Sequence, residues 1–449
     1  MSLILDGLYF LALLVSLPYL AWRRWRFGKN RRGWRSRLWG DVSVPPKHSP
    51  RIWFHAVSVG EVTLIAPLIR LIREHHPTWE LVLSTGTETG FDVARNKYPD
   101  IPVCFCPWDF SWAVRGALRR IDPDCLVLVE LELWPNLIRA AKRRGVRLAI
   151  VNGRLSDRSF RRYRRFRACV GPLLKRFDLI AAQTEEITQR FVELGADASR
   201  VHRVGNLKFD GAIQHTRLEP DDQLVRTFGI EEEECVWVAG STQPEEDLWV
   251  IDVYEKLRAE LPRLRLVIAP RHPANAPQAM DYLVRCGLSF LQRSQGEPTE
   301  SALVERPVIV VDVLGELATW WRRADIAYVG GSQGSRGGQN MIEPSAMGAA
   351  VCFGPRTDNF RDVVQLLLAA DAARVVSNKD ELREFVHRAA TDSAWRSDMG
   401  CRAQRVVQQN LGASTTTLQL MEQNCDLTPL QESSPSSTGS EAFLKPPTQ

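Results

Sequence analysis

The chain has 449 residues, 44% hydrophobic and 25% charged, which excludes a peptide, a collagen-like fibre and a wholly disordered protein and favours two globular domains. Its net charge of +5 is too small for a general nucleic-acid coat. That excess is local, because eight basic residues and no acid lie between Arg23 and Arg37.

Residues 3–22 (LILDGLYFLALLVSLPYLAW) form an apolar stretch of about the 20 residues that cross a bilayer, interrupted by Asp6 and Pro18. The basic cluster follows the stretch, where a cleaved signal peptide would carry it in front, so residues 1–22 read as an uncleaved membrane anchor. Residues 23–44 read as a basic juxtamembrane segment that keeps the following chain on the cytoplasmic side and attracts anionic headgroups. A shallow interfacial helix is the alternative. Nine cysteines without repeating spacing fit free thiols in a reducing compartment.

From Arg51 onward, short runs rich in Val, Ile and Leu alternate with helical patterns. RIWFHAVSV, LVLSTGT, LVLVELE, RLAIVNG and DLIAAQ read as strands, separated by helices such as VTLIAPLIRLIREHH and NLIRAAKRRG. Strands apolar on both faces imply a buried parallel sheet. After an acidic segment (218–234) a second series begins with CVWVAGST and continues through LRLVIAP, VIVVD, IAYVGG and AVCFGP. The predicted fold is α/β: two doubly wound Rossmann-like domains, 45–217 and 218–426, whose strand carboxyl ends face one cleft. The Ser- and Pro-rich tail, 427–449, reads as disordered.

Several residues are placed to carry chemistry. In His55-Ala-Val-Ser-Val-Gly-Glu61, a strand gives way to a helix, and Glu61 fits either a general base or a first-turn carboxylate stabilised by the helix dipole. The dipole alone would lower its pKa, so a basic role requires desolvation. Glu130 and Glu132 fall at the end of the LVLVELE strand, either as a pair of acids facing the cleft or as a helix cap and an ion-pair partner. Lys208, in GNLKFD, can reach a phosphate or a carboxylate, or stay solvated. In the second domain, Pro270 and Pro273 fix the loop that presents Arg271, suited to a bidentate grip on phosphate. Leu314-Gly315-Glu316 opens a helix whose amides suit an anion. A glycine-rich run, 330–338, leads to Asn340-Met341-Ile342-Glu343, suited to backbone approach to phosphate and to ribose or base contacts. Asp122-Pro-Asp124 reads as a turn, Cys104 and Cys106 as core, and the basic run 158–167 as a face for phosphorylated lipid or a plain solvated helix.

Taken in order, HAVSVGE, ELELWPN, NGRLSDRS, GNLKFD, APRHP, LGEL, GGQNMIEP and GPRTDNF resemble the bacterial 3-deoxy-D-manno-octulosonic acid (Kdo) transferases of lipopolysaccharide synthesis. The resemblance implies a glycosyltransferase B fold, CMP-Kdo as donor substrate, a lipid A precursor (lipid IVA) as acceptor, inversion at the anomeric carbon, and no cofactor or bound metal. It implies work at the cytoplasmic face of the inner membrane, without nucleic-acid partners. By motif, Glu61 resembles the catalytic base, and Glu130 with Lys208 the pair assisting the transition state. Pro270 and Arg271, Leu314 to Glu316, and Asn340 to Glu343 resemble the CMP-binding segments. The chain departs from the family pattern at Gln243, Gln339, Arg356 and Asn275; glutamine keeps hydrogen bonding but carries no charge. The residues by themselves also fit another nucleotide-sugar transferase or epimerase, or a non-catalytic nucleotide-sugar-binding membrane protein.

Overall fold

The computed structural model describes residues 32–216 and 222–425, with 5–7, 9–11, 14–16 and Trp22. The expected tail (427–449), most of the expected anchor and basic residues 23–31 lie outside the described residues. Among those described, no helix is long and apolar enough to cross a membrane.

Two compact units form. One takes residues up to Thr63, Ile69–His202 and the chain from Leu418; the other takes Leu64–Leu68 and Arg203–Thr417. The first holds strands β1 (Arg51–His55), β2 (Glu80–Thr85), β3 (Val103–Phe105), β4 (Cys125–Val129), β5 (Arg147–Gly153), β6 (Leu179–Ala182) and β7 (Val201–Arg203). They order as β3-β2-β1-β4-β5-β6-β7, paired in parallel from β3 to β6. Every residue of β1 and β4 is buried, as strands covered on both faces require. Trp53, Leu126, Leu128, Leu148 and Ile150 pack against helix residues Leu137, Leu173 and Phe191.

The second unit holds β8 (Cys235–Thr242), β9 (Leu264–Pro270), β10 (Phe290–Gln292), β11 (Val308–Val310), β12 (Ile326–Val329), β13 (Ala350–Phe353) and β14 (Ala373–Val375), ordered β10-β11-β9-β8-β12-β13-β14. Side-chain alternation sends Val236 and Val238 into one core with Trp320 and Trp321, and Trp237 and Ala239 into another with Leu266 and Tyr328. Helices therefore cover both faces, as in doubly wound folds.

The strand order reverses between β1 and β4 in the first sheet and between β8 and β12 in the second. Ligands of such sheets bind outside the carboxyl ends of the strands at these reversals. HAVSVGE runs on from the last residue of β1 and ELELWPN follows β4; GSTQPEE runs on from the end of β8 and the glycine-rich run follows β12.

Three local expectations change. Arg32, Arg35 and Arg37, expected to face lipid headgroups, have protein partners. Arg32 pairs with Asp92 at 2.7 Å and Arg35 with Asp41 at 2.9 Å, while the buried Arg37 donates to Gly86 O at 3.1 Å and lies 4.4 Å over Phe105. The GNLKFD segment, read as closing the first domain, packs with the second unit, because Phe209 and Ala212 enter its core and Asp210 accepts from Gly412 N and Ser414 N. Glu130 and Glu132 do not sit on a strand: β4 ends at Val129, and Glu130 turns left-handed at φ 61°.

Candidate active site

In the first unit the carboxylates gather at the β1–β4 reversal. Glu61 lies in the first turn of the Val59–Leu64 helix, where Ser58-x-x-Glu61 has the spacing of a capping box. Its Oε2 accepts from Val57 N at 2.8 Å and its Oε1 from Ser58 Oγ at 3.0 Å. These bonds alone would favour the charged form. Burial outweighs them and raises the Glu61 pKa, with the Glu130 charge pushing the same way. The desolvation that a basic role demands is therefore present.

Glu130 is fixed by its own backbone, its N–H donating to Val151 O at 2.9 Å beyond the last residue of β4. A left-handed non-glycine residue costs about 1–2 kcal/mol, a strain that persists where surrounding structure imposes it. Glu132, two residues on, is half-buried, and burial first, then the charges of Glu61 and Glu130, hold its carboxyl at about 7. Trp134 tempers this shift, although its indole Nε1 is buried without a well-formed hydrogen bond. Neither Glu130 nor Glu132 caps the Pro135–Arg143 helix. Asp109 does so, accepting from Asn136 N at 2.9 Å and Leu137 N at 2.8 Å. Three acids thus stand within electrostatic reach of one another, with no ion-pair partner among the described residues.

Because the folded state binds a proton on Glu132 that the unfolded chain releases in the ordinary carboxylate range, stability falls as pH rises from that range through about 7. Glu132→Gln is expected to flatten this slope, read as Tm against pH between 4.5 and 7.

The second unit builds a different surface. Arg271 follows β9; its N–H donates to Thr242 O at 2.9 Å, tying the loops after β9 and β8 together, and its side chain is exposed. Pro270 is buried beneath it. Gly330, directly after β12, passes so close to β8 that a Cβ there would meet Thr242 Cα at 2.4 Å, so only glycine fits. Gly338, at φ 81°, turns the loop back through Gly338 N to Gly331 O at 2.7 Å.

Glu246, which the sequence reading did not single out, organises this loop. The carboxylate is 2% exposed and accepts from Gly331 N at 2.7 Å, Ser332 N at 2.9 Å, Gln333 N at 3.0 Å and Gln243 N at 2.8 Å, and from Tyr328 Oη at 3.2 Å. The amides expected to lie open to phosphate at 331–333 are therefore occupied by a protein carboxylate, which rigidifies the loop. The Gln243-x-x-Glu246 spacing signals the helix start. The contacts across more than 80 residues carry no local signal.

The remaining candidates divide. Asn340 donates from Nδ2 to Glu343 Oε1 at 2.9 Å and accepts at Oδ1 from Ile342 N at 3.1 Å, leaving both polar side chains half-buried at the end of the loop. Met341 and Ile342, expected among the donor-binding residues, are wholly buried, backbone included, and pack into the core of the second unit. Leu314 is exposed and Gly315 is left-handed at φ 92°. Glu316 is held by both Nε and Nη2 of Arg293, at 2.8 and 3.0 Å. Lys208 belongs to the second unit, where its Nζ donates to Asn359 O at 3.1 Å and lies 4.6 Å from the Phe360 ring centroid. Of the departures, Gln243 and Gln339 adjoin the glycine-rich loop, Arg356 is exposed with its N–H on Ser332 O, and Asn275 closes a turn on His272 O.

The sequence resembles known proteins over nearly its whole length. Residues 29–211 match the family model of 3-deoxy-D-manno-octulosonic-acid transferase (kdotransferase). A 3-deoxy-D-manno-octulosonic acid transferase of Bordetella pertussis is 32% identical over 431 residues, covering 93% of this chain and 98% of that one. Among solved structures, the UDP-GlcNAc 2-epimerase of Neisseria meningitidis superposes with a TM-score of 0.58 at 13% identity, over 83% of this chain and 100% of that one. A glycosyltransferase from Rickettsia africae gives 0.54 at 11%, over 85% and 100%. At these identities the structures bear on the fold alone, which is that of the two-domain glycosyltransferases. With one relative matched almost end to end, the chain belongs to the Kdo transferase family and is a glycosyltransferase.

Proposed function

We propose that this protein transfers Kdo from CMP-Kdo to a lipid A precursor, lipid IVA, at the cytoplasmic face of the inner membrane, with inversion at the anomeric carbon. The observation that carries the reading is the half-buried acid cluster at the β1–β4 reversal, headed by a carboxylate whose pKa burial raises. The acceptor hydroxyl oxygen bonds to the anomeric carbon as the bond from that carbon to the CMP phosphate oxygen breaks. Glu61 takes the hydroxyl proton, and CMP leaves with the bonding pair. The charge developing on the sugar is oxocarbenium-like, which Glu130 stabilises. Arg271 and Lys208 receive the leaving phosphate, and the Asn340–Glu343 pair contacts ribose or base.

The N-terminal segment and the arginines of the Asp157–Arg165 helix, none of whose residues is buried, serve the membrane side of this reading. An exposed guanidinium gripping phosphate contributes about 1.5–3 kcal/mol, so Arg271→Ala is expected to raise the donor KM by about 10- to 100-fold, measured by initial rates. The assignment of donor is tested by calorimetric titration with CMP and with UDP, alongside consumption of radiolabelled CMP-Kdo and UDP-GlcNAc. Preference for CMP and turnover of CMP-Kdo are expected; UDP binding with UDP-sugar turnover would replace the reading by another nucleotide-sugar enzyme on the same fold.

A further inference from the structure

We propose that the N-terminal segment is a positioning element of the acid site: through Asp6 and Tyr9 it fixes the start of the Pro135–Arg143 helix and so the Glu130–Trp134 loop. The proposal rests on the role given to that loop above. An apolar membrane segment gains nothing from a carboxylate near its start, which is costly in lipid. Asp6 is instead 6% exposed and fully engaged. Its Oδ1 accepts from Ser111 N at 2.8 Å and Asn136 Nδ2 at 3.2 Å, and its Oδ2 from Ser111 Oγ at 2.6 Å.

Two helix starts meet here, and neither is capped by its own neighbour. Phe110, before the Ser111–Ile121 helix, and Trp134, before Pro135–Arg143, make no side-chain cap. Asp6 caps the first from more than 100 residues away, and Asp109 caps the second. Asn136 ties the two caps together, since its Nδ2 also donates to Asp109 O at 2.6 Å. Tyr9 completes the cluster: its Oη donates to Asp109 Oδ2 at 3.1 Å, and its ring packs edge-on against Phe110 at 6.0 Å.

The consequence for the site follows from connectivity. The loop carrying Glu130 and Glu132 is anchored at one end by Glu130 N on Val151 O and at the other by this doubly capped helix start. Five residues separate the anchors, too few to absorb a shift at Asn136 without moving Glu132. A tether to the bilayer would need none of these bonds, which join the segment to the one helix that continues the acid-bearing loop.

The test uses the full-length protein in detergent micelles with micellar acceptor, where tethering to a bilayer no longer matters. Asp6→Ala is expected to lower kcat by about 10- to 100-fold with the donor KM unchanged, as misplacement of catalytic groups does. Asp6→Asn, whose amide oxygen still accepts from Ser111 N, is expected to restore most of the loss. Tyr9→Phe, the milder change, and Asp6→Ala should both speed hydrogen exchange in peptides covering residues 134–140. Wild-type kcat in micelles for Asp6→Ala and Tyr9→Phe, or unchanged exchange at 134–140, would overturn the proposal. A wild-type protein that transfers no Kdo would overturn the functional reading instead, and the exchange measurement would still decide the structural one.

Discussion

Glu61→Gln is expected to leave the fold and CMP binding intact while lowering Kdo transfer by about 10²–10⁴-fold, the range of a lost general base. Glutamine keeps one oxygen to accept from Val57 N or Ser58 Oγ, so the short helix start loses at most one bond. What disappears is the site that takes the acceptor proton. A purely capping role for Glu61 would show as a drop in Tm with turnover preserved. The same variant removes a negative charge from beside Glu132, so the Glu132 titration should move down from about 7, which a pH series of carboxyl 13C shifts would detect. Loss of transfer together with that shift places the charge of Glu61 in the reacting cluster.

Glu246→Ala carries the largest expected stability effect. The side chain is almost wholly buried and receives four backbone N–H groups, three of them successive in the glycine-rich loop. Leaving such donors unpaired costs about 1–3 kcal/mol each, and whole domains are stable by only about 5–15 kcal/mol. The second unit is expected to melt well below the first, and CMP affinity to fall because the loop between Gly330 and Asn340 loses its scaffold. Differential scanning calorimetry with and without CMP measures both; a single unchanged transition would show that the loop holds its shape without the carboxylate.

Much of the architecture was legible because a parallel sheet buried on both faces writes itself as continuous Val, Ile and Leu runs. CVWVAGST and LRLVIAP coincide with β8 and β9 residue for residue. Short edge strands such as Phe290–Gln292 and Ala373–Val375 were invisible, since three residues carry no period and pairing alone defines them. Ends of strands were overrun where the chain turns in an unusual conformation: LVLVELE reads as extended through Glu132, yet Glu130 is left-handed. The long helix expected over VTLIAPLIRLIREHH is two, Val59–Leu64 and Ala66–His75, with Pro67 in the first turn of the second.

Within the site, residues that announce themselves by local pattern were found: Glu61 by the strand-to-helix switch in HAVSVGE, and Arg271 by its flanking prolines. Residues whose role depends on distant backbone were not. Glu246 reads as one more acid in a helix start, and Asp6 as a flaw in an apolar stretch; each acquires meaning only when folding brings it to amides some 85 to 105 residues away. In the Leu314–Glu316 segment, expected to offer its amides to an anion, the Glu316 carboxylate is clasped by Arg293, a pairing no local pattern announces.

The most direct test of Kdo transfer by this chain is mass spectrometry of lipid IVA after incubation with CMP-Kdo and the purified full-length protein. The account predicts acceptor ions heavier by whole Kdo residues and release of CMP in equal amount, both formed about 10²–10⁴-fold more slowly by the Glu61→Gln variant. Unmodified lipid IVA beside intact CMP-Kdo, or equal transfer by that variant, would contradict it.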